Sequence, residues 1–307
     1  MINVKNYINK LSNDTYSIYL FHGVVRENKS QVRNYNNKHI LSVEFEKLLI
    51  ELKNAGNPIS LDNLILLHKS GKELPPNSFS ITFDDGFENN YSIAVPILEK
   101  LQIPATFYVS TNLVEKNLMS WIDQIEYCFE LKESLSLKLP WDKSAVILDT
   151  PVKKIKYLSI IREKVKSNQQ LYNPNFIVDK IFKQTDIEKI ESNDHPLDQK
   201  MNWDQVKNIH YHDLFSIGGH SHNHLSLGSL KSNESEKEIS RSIKFLKDKA
   251  DIVSNHYSYP EGQEIDFNEN VIDFLKKNKI ECCPTAIDGV NKLNFDSLFH
   301  LKRVMVL

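Results

Sequence analysis

Ser80-Ile81-Thr82-Phe83-Asp84-Asp85-Gly86 is an apolar, β-prone run that stops abruptly in two carboxylates and a glycine. β-Branched and aromatic residues crowd together from Ser78 to Phe83, just after the breaker Pro75-Pro76-Asn77, so this segment predicts a strand. Gly86 permits a sharp turn that a residue with a Cβ would resist. Asp84 and Asp85 are therefore expected at the C-terminal tip of a buried strand, where open α/β sheets and barrels place their chemistry. Two adjacent buried carboxylates repel each other. They are tolerable if a cation neutralises one or a proton sits on the other. A strand followed by an ordinary Asx turn is the plainer reading of the same letters.

Further strands and helices flank this run. Thr15 to Val25 read as a first buried strand ending at His22-Gly23, and Arg26 to Lys38 as a polar surface loop. Ser42 can cap a helix whose Phe45, Leu48, Leu49 and Leu52 recur at helical spacing, with Gly56 as its stop. A short helix starts at Ser60 and ends near Gly71. After the Asp84-Asp85 strand, Tyr91 to Leu101 suit a helix with Pro96 in its first turns or at a kink, and Pro104 to Val109 another strand. Strand, helix, strand, helix in this order argues for parallel α/β packing. From about 120 to 200 the character changes to lysine-rich amphipathic segments (Val152 to Val165, Phe176 to Ile190), a mostly helical insertion. Beyond it come helices at Trp203 to His210, Glu234 to Lys249 and Asn270 to Asn278. Strands are expected at Asn255 to Tyr259, Ile280 to Cys283 and Leu301 to Leu307.

Composition narrows the class. The chain has 307 residues, enough for a sizeable core, with 40% apolar and 25% charged residues, ordinary values for a globular protein. A formal net charge of −2 offers no global field for nucleic acid or an anionic membrane. The cysteines Cys128, Cys282 and Cys283 follow no disulfide or zinc-finger spacing and read as buried thiols. No apolar run has signal-peptide length at the N-terminus, and none approaches the roughly 20 residues that span a bilayer. A cytoplasmic location follows as the expectation.

The second unusual stretch is His220-Ser221-His222-Asn223-His224, directly after Gly218-Gly219. Three of the eleven histidines fall in these five positions. In a strand all three would share a face. In a helical turn His220 and His224 would align at i, i+4. Either arrangement can hold a borderline metal through imidazole nitrogens, and a hydrogen-bonded turn with surface histidines is the plain alternative. His210 and His212 sit in a polar helix-to-loop segment and read as solvated.

Thr82-Phe83-Asp84-Asp85-Gly86 resembles the first motif of the polysaccharide deacetylases (the NodB-homology group, carbohydrate esterase family 4). His220-Ser221-x-x-His224 resembles their second motif, and Ser258-Tyr259-Pro260-Glu261-Gly262 their third, a Pro-containing loop after a strand. The likeness covers most of residues 15 to 307, least so between 120 and 200. It implies one NodB-homology-like domain over 1–307, a distorted (β/α) barrel with the 120–200 helical insertion on its C-terminal rim.

The resemblance also implies roles. Asp85, His220 and His224 would bind one divalent metal, most often zinc in such enzymes, leaving positions open for water and substrate. Asp84 would be the general base, and the Tyr259-Pro260-Glu261 loop would face the oxyanion. Two departures stand out. The family's third motif often carries an arginine two residues before the proline, where this chain has Ser258. Arg303, in the last predicted strand, is the natural substitute. The family's last motif, Leu-x-His, supplies the acid for the leaving amine. Leu298-Phe299-His300 matches in letters, but polar Asn294 to Ser297 precede it. His22, at the first strand's tip, is an equal candidate, and His256 a third. His22 is carried as the acid.

The function that follows is metal-dependent N-deacetylation of a carbohydrate, a unit or precursor of a cell-surface polysaccharide. Its partner is an N-acetylated saccharide, with no nucleic acid and no transmembrane segment. The lysine-rich insertion is compatible with peripheral membrane contact. The alternatives are an amidase or cyclic imidase on a non-sugar amide, and a catalytically weakened carbohydrate-binding homologue.

Overall fold

The structure, a computed structural model, describes residues 2–168, 171–292 and 297–307. All six residues of the strand Ser78–Phe83 are buried, as a run without polar alternation requires when both sheet faces are covered. The strands Thr15–Phe21, Ser78–Phe83, Ala105–Val109 and Phe215–Gly219 pair in parallel in that order. Val304–Met305 pairs in parallel with Thr15–Phe21 as well. Phe21, Phe83 and Phe107 are cross-strand partners. Their rings stack at centroid distances of 5.4 and 4.9 Å. This ladder levels the strand ends, so that His22 and Asp84 emerge side by side, with Asp84 N donating to Phe21 O at 3.0 Å.

Beyond Phe215–Gly219 the bonding continues as single bridges. Gly219 pairs with Tyr257, and His256 with Cys282. Cys283 and Thr285 donate to the carbonyls of Leu298 and Leu301, and Arg303 donates to Ile287. The strands expected at 255–259 and 280–283 are thus isolated bridges, and the one expected at 301–307 is regular only at Val304–Met305. The segment 15–25 is interrupted at His22. Its last part, Gly23–Val25, leaves the main sheet to pair with His39–Leu41.

Helices cover the sheet. Ser42–Ala55 buries Phe45, Leu48, Leu49 and Leu52, each contributing about 1.5–3 kcal/mol by apolar burial. Ser42 is the first helical residue rather than the cap; Gly56 does stop the helix, in an extended rather than a left-handed conformation. The helix expected over 91–101 begins with a π turn, Asn90–Ala94, and only Val95–Leu101 is α-helical. Pro96 sits at the start of that α segment, so its missing N–H falls where the π turn passes into the α-helix. Leu61–Ser70, Trp203–His210, Ser232–Ala250 and Glu269–Lys277 match their predicted positions within a few residues.

Contacts divide the chain into two compact units. One comprises 1–27, 38–117 and 200–307, the other 28–37 and 118–199. The second unit holds the helices Trp121–Leu131, Pro151–Ser167 and Pro174–Thr185 and a small hairpin, Leu135–Leu137 with Val146–Leu148. Its core includes Ile125, Phe129, Leu158, Ile161, Ile177 and Ile181. Residues 28–37 read as exposed loop, yet they add Val32 to this core. The Glu130 carboxylate accepts the backbone N–H groups of Gln31, Val32 and Arg33 at 3.1, 2.7 and 3.2 Å. Arg33 also forms a buried ion pair with Asp198. Among the described residues no helix is long and apolar enough to cross a membrane.

Candidate active site

Asp84 continues directly from its strand, and Asp85 turns away from it. Asp85 has φ +74° and Gly86 φ +73°, left-handed values that an aspartate tolerates better than most residues and a glycine adopts freely. The turn sends the two neighbouring carboxylates to different partners.

Asp84 is buried against Arg303. The guanidinium Nη1 and Nη2 donate to Oδ1 and Oδ2 at 2.8 and 2.7 Å, a bidentate pair. The remaining donors are also used. Nε donates to Thr285 O at 2.5 Å, Nη1 to Thr82 Oγ1 at 3.3 Å, and Nη2 to Ser258 Oγ at 3.0 Å. Five N–H groups meet five acceptors, which is what a fully buried guanidinium needs. Burial alone would raise the Asp84 carboxyl, but Arg303 and the nearby His220 outweigh it and hold the carboxyl below its usual range. Asp84 is therefore ionised and fixed in orientation.

Asp85 faces the histidines. Its Oδ1 lies 3.1 Å from His224 Nε2 and 3.6 Å from His220 Nε2. This oxygen is buried but makes no well-formed hydrogen bond. His220 Nδ1 lies 2.9 Å from Ser258 O, which sets the tautomer with the proton on Nδ1 and the Nε2 lone pair toward Asp85. Backbone geometry matters here too, since Ser221 and His224 have φ +56°. Burial would raise Asp85, yet His224, His22 and Lys38 hold it well below the usual range. Burial would lower His224, but Asp85 raises it.

These three side chains fit a metal ion. Their ligand atoms lie within 4.8 Å of one another. A tetrahedral ion with bonds of about 2.1 Å spaces its ligands about 3.4 Å apart, close to the 3.1 and 3.6 Å seen here. The bondless Asp85 Oδ1 is the donor such an ion would satisfy.

The other expected residues sort themselves. His22 leaves the neighbouring strand tip, and both carboxylates act on its ring. Burial pushes it down to about 4, against their charges, and its Nδ1 is buried without a partner. The two other acid candidates are engaged elsewhere. His256 Nε2 pairs with Asp62 at 2.9 Å. His300 is exposed, with Nδ1 3.2 Å from Ser297 Oγ and its ring edge-on to Phe267. Asn294, Phe295 and Asp296, in the segment before it, lie outside the described residues. The middle histidine of the cluster, His222, is bonded to Thr111 Oγ1 at 2.9 Å and packs on Phe245.

In the Pro-containing loop, Tyr259 is buried, donates to Phe299 O at 3.3 Å and stacks on Phe267. After Pro260, Glu261 and Gly262 take left-handed values of +62° and +63°. Glu261 is near enough for its charge to act on His224. Two contributors escape the sequence reading. Ser258 marks a missing arginine in the letters, yet its hydroxyl accepts from Arg303 and its carbonyl orients His220. Lys38, one letter in a polar stretch, acts by charge on Asp85, His22 and His224. No pattern in the sequence marks it.

Comparison with known proteins places this geometry. The family model described as polysaccharide deacetylase matches residues 71–153 and 160–283. A poly-beta-1,6-N-acetyl-D-glucosamine N-deacetylase of Escherichia coli K12 is 36% identical over 55 residues, 18% of this chain. The match spans 8% of that relative's length. Three solved structures share the fold. The Streptococcus pyogenes deacetylase PplD in complex with acetate has a TM-score of 0.61 at 16% identity, covering 95% of this chain and 92% of that one. A de-N-acetylase from Aggregatibacter actinomycetemcomitans gives 0.60 at 17% identity, covering 95% of each chain. IcaB from Ammonifex degensii gives 0.59 at 15%, covering 97% and 94%.

Proposed function

Since this chain belongs to the polysaccharide deacetylase family, we propose that it is a hydrolase that removes N-acetyl groups from a saccharide. The observation that carries this reading is the division of labour between two adjacent carboxylates. Asp84 is clamped in its ionised form by Arg303, while Asp85 presents a bondless oxygen between two imidazoles. In this reading Asp85, His220 and His224 are the ligands of one divalent cation. Zinc is the ion that two imidazoles and a carboxylate suit. A bound cation would supply a water of lowered pKa and polarise the acetamide carbonyl.

The chain's own residues do the rest. Asp84 accepts the proton of the attacking water. Arg303 is its positioning residue, and the five-acceptor cage around the guanidinium prevents Asp84 from rotating away. Backbone N–H of the Pro260-Glu261 loop faces the developing oxyanion, with the turn at Glu261-Gly262 setting its direction. As the C–N bond breaks, His22 gives its ring proton to the leaving nitrogen and takes up in return the proton that Asp84 accepted from the water, so that both groups end as they began. Acetate and a free sugar amine leave. Tyr259 supports the loop rather than reacting.

The substrate to try first is β-1,6-linked poly-N-acetylglucosamine, the polymer named for the Escherichia coli relative. Acetate release is measured on this polymer and on short N-acetylated sugars, with and without chelator, for the wild type and Asp84→Asn. Chelator-sensitive release that Asp84→Asn abolishes is the expected result. Release that survives both treatments would overturn the assignment.

A further inference from the structure

A concave site lies at the other end of the same sheet. Among the described residues, Tyr91, Pro96, Glu99, Asn208, His212 and Phe215 are part of the lining of a cleft of about 400 Å³. This is within the range of small-ligand sites. Phe215 opens the strand whose last residue, Gly219, precedes the metal-site histidines. At about 3.3 Å per residue, Phe215 and His220 are roughly 16 Å apart along the strand.

The cleft is shaped by local features that nothing in the deacetylation chemistry requires. The π turn Asn90–Ala94, closed by Val95 N to Asn90 O, carries Tyr91 on its widened coil. Such turns recur at functional positions. His212 lies flat on Phe215, with ring centroids 4.5 Å apart and an interplanar angle of 26°. Phe107 meets Phe215 edge-on from behind. The imidazole is therefore held as a planar wall. Its Nδ1 accepts from Leu214 N at 3.2 Å, so the proton sits on Nε2, 3.6 Å from Glu99 Oε1. That gap is too long for a hydrogen bond, and a ligand hydroxyl could bridge it. Asn208 Nδ2 donates to Tyr91 OH at 3.1 Å, which leaves the amide oxygen and the phenol proton for a ligand.

We propose that this cleft binds one or two sugar units of a saccharide chain, separately from the unit being deacetylated. Its chemistry fits a sugar best. Flat rings and Pro96 match the C–H face of a pyranose, and a carboxylate, an amide, an imidazole and a phenol match its hydroxyls. Among the described residues, the lining has no lysine or arginine to hold a phosphate. The identity of the ligand rests on the deacetylase reading; the existence of the site does not.

The test uses a β-1,6-linked glucosamine pentasaccharide, which carries no acetyl group to remove. It is titrated into the ¹⁵N-labelled, zinc-loaded chain, followed by amide shifts. Saturable shifts at residues 91–99 and 208–215 are expected. Tyr91→Ala/Glu99→Gln, both at partly exposed positions, should weaken binding tenfold or more. The same variant should raise KM for the acetylated polymer and change kcat/KM for an N-acetylglucosamine monosaccharide less than twofold. Shifts confined to residues near 84–85 and 220–224, or unaltered affinity in the double variant, overturn the proposal. Cleft shifts without any acetate release would refute the deacetylase reading and leave the cleft standing. Acetate release with wild-type affinity in the variant would refute the cleft alone.

Discussion

The main sheet carries a histidine–carboxylate pair at each end, and the two are unlike. At the strand tips, His224 and Asp85 lie 3.1 Å apart, Asp85 buried and His224 partly so, on left-handed backbone, with Asp85 Oδ1 making no well-formed bond. At the opposite end, His256 and Asp62 lie 2.9 Å apart, and Asp62 also accepts from Ser216 Oγ at 2.6 Å. Its carboxylate is half exposed. The same two side-chain types thus make a latch in one place and leave a carboxylate oxygen without a well-formed bond in the other. What separates them is the carboxylate: both oxygens of Asp62 are bonded, to His256 and Ser216, whereas Asp85 Oδ1 is left to offer a ligand.

The sharpest way to break this contrast is to remove charge at each end. Asp84→Asn should lower deacetylation 10²- to 10⁴-fold, the usual contribution of a general base, while Asp62→Asn leaves kcat within twofold. Equal losses measured in the two variants would erase the distinction. Next in size is Arg303→Met, which strands Asp84 as a buried, unpaired charge and should cost about 3–5 kcal/mol in urea denaturation. Adding Asp84→Leu to Arg303→Met should recover much of that loss, though no activity. Zinc should then raise the unfolding free energy of the wild type by about 2.7 kcal/mol at a hundredfold excess over Kd. Asp62→Asn should keep this gain and Asp85→Ala should lose it. The smallest effect concerns pH. The hydrogen bond to His256 outweighs burial and lowers Asp62 to about 2. A depressed carboxylate stabilises the fold above its unfolded pKa, and that contribution is lost as pH falls through the folded value. The stability difference between wild type and Asp62→Asn should therefore shrink from about pH 4 to about pH 2, modestly, because solvent screens a half-exposed pair.

The same contrast explains what could be read from the letters. Asp84, Asp85, His220 and His224 were legible because each motif is local, an apolar strand that ends in reactive side chains. Arg303 could be suspected from the gap at Ser258, but its cage could not. Thr82, Ser258 and Thr285 are ordinary polar residues, and their meeting around one guanidinium is a product of strand register. His300 shows the opposite failure. Its letters match a motif, but exposure and the contact with Phe267 decide its position, and neither is written in Leu298-Phe299-His300. His212 read as solvated because its neighbours are polar, although tertiary packing lays it on Phe215. Residues 28–37 looked like plain loop because the carboxylate that gathers their N–H groups belongs to Glu130, about a hundred residues away. The strands expected at 255–259 and 280–283 have suitable composition, but their partners meet them only at single bridges.

The clamp on Asp84 also bears on how the molecule folds. Arg303 and Asp84 are 219 residues apart in sequence, so bringing them together closes a loop whose entropic cost is about 5 kcal/mol by the logarithmic scaling of loop closure. One ion pair cannot repay that. The contact must form with the pairing of Val304–Met305 along the first strand, after the local parallel units have assembled. Contacts made after the folding barrier govern how fast a protein comes apart rather than how fast it forms. The residue that clamps Asp84 is thereby also a lock on unfolding: the kinetic lifetime of the folded chain and the orientation of the Asp84 carboxylate are set by one side chain.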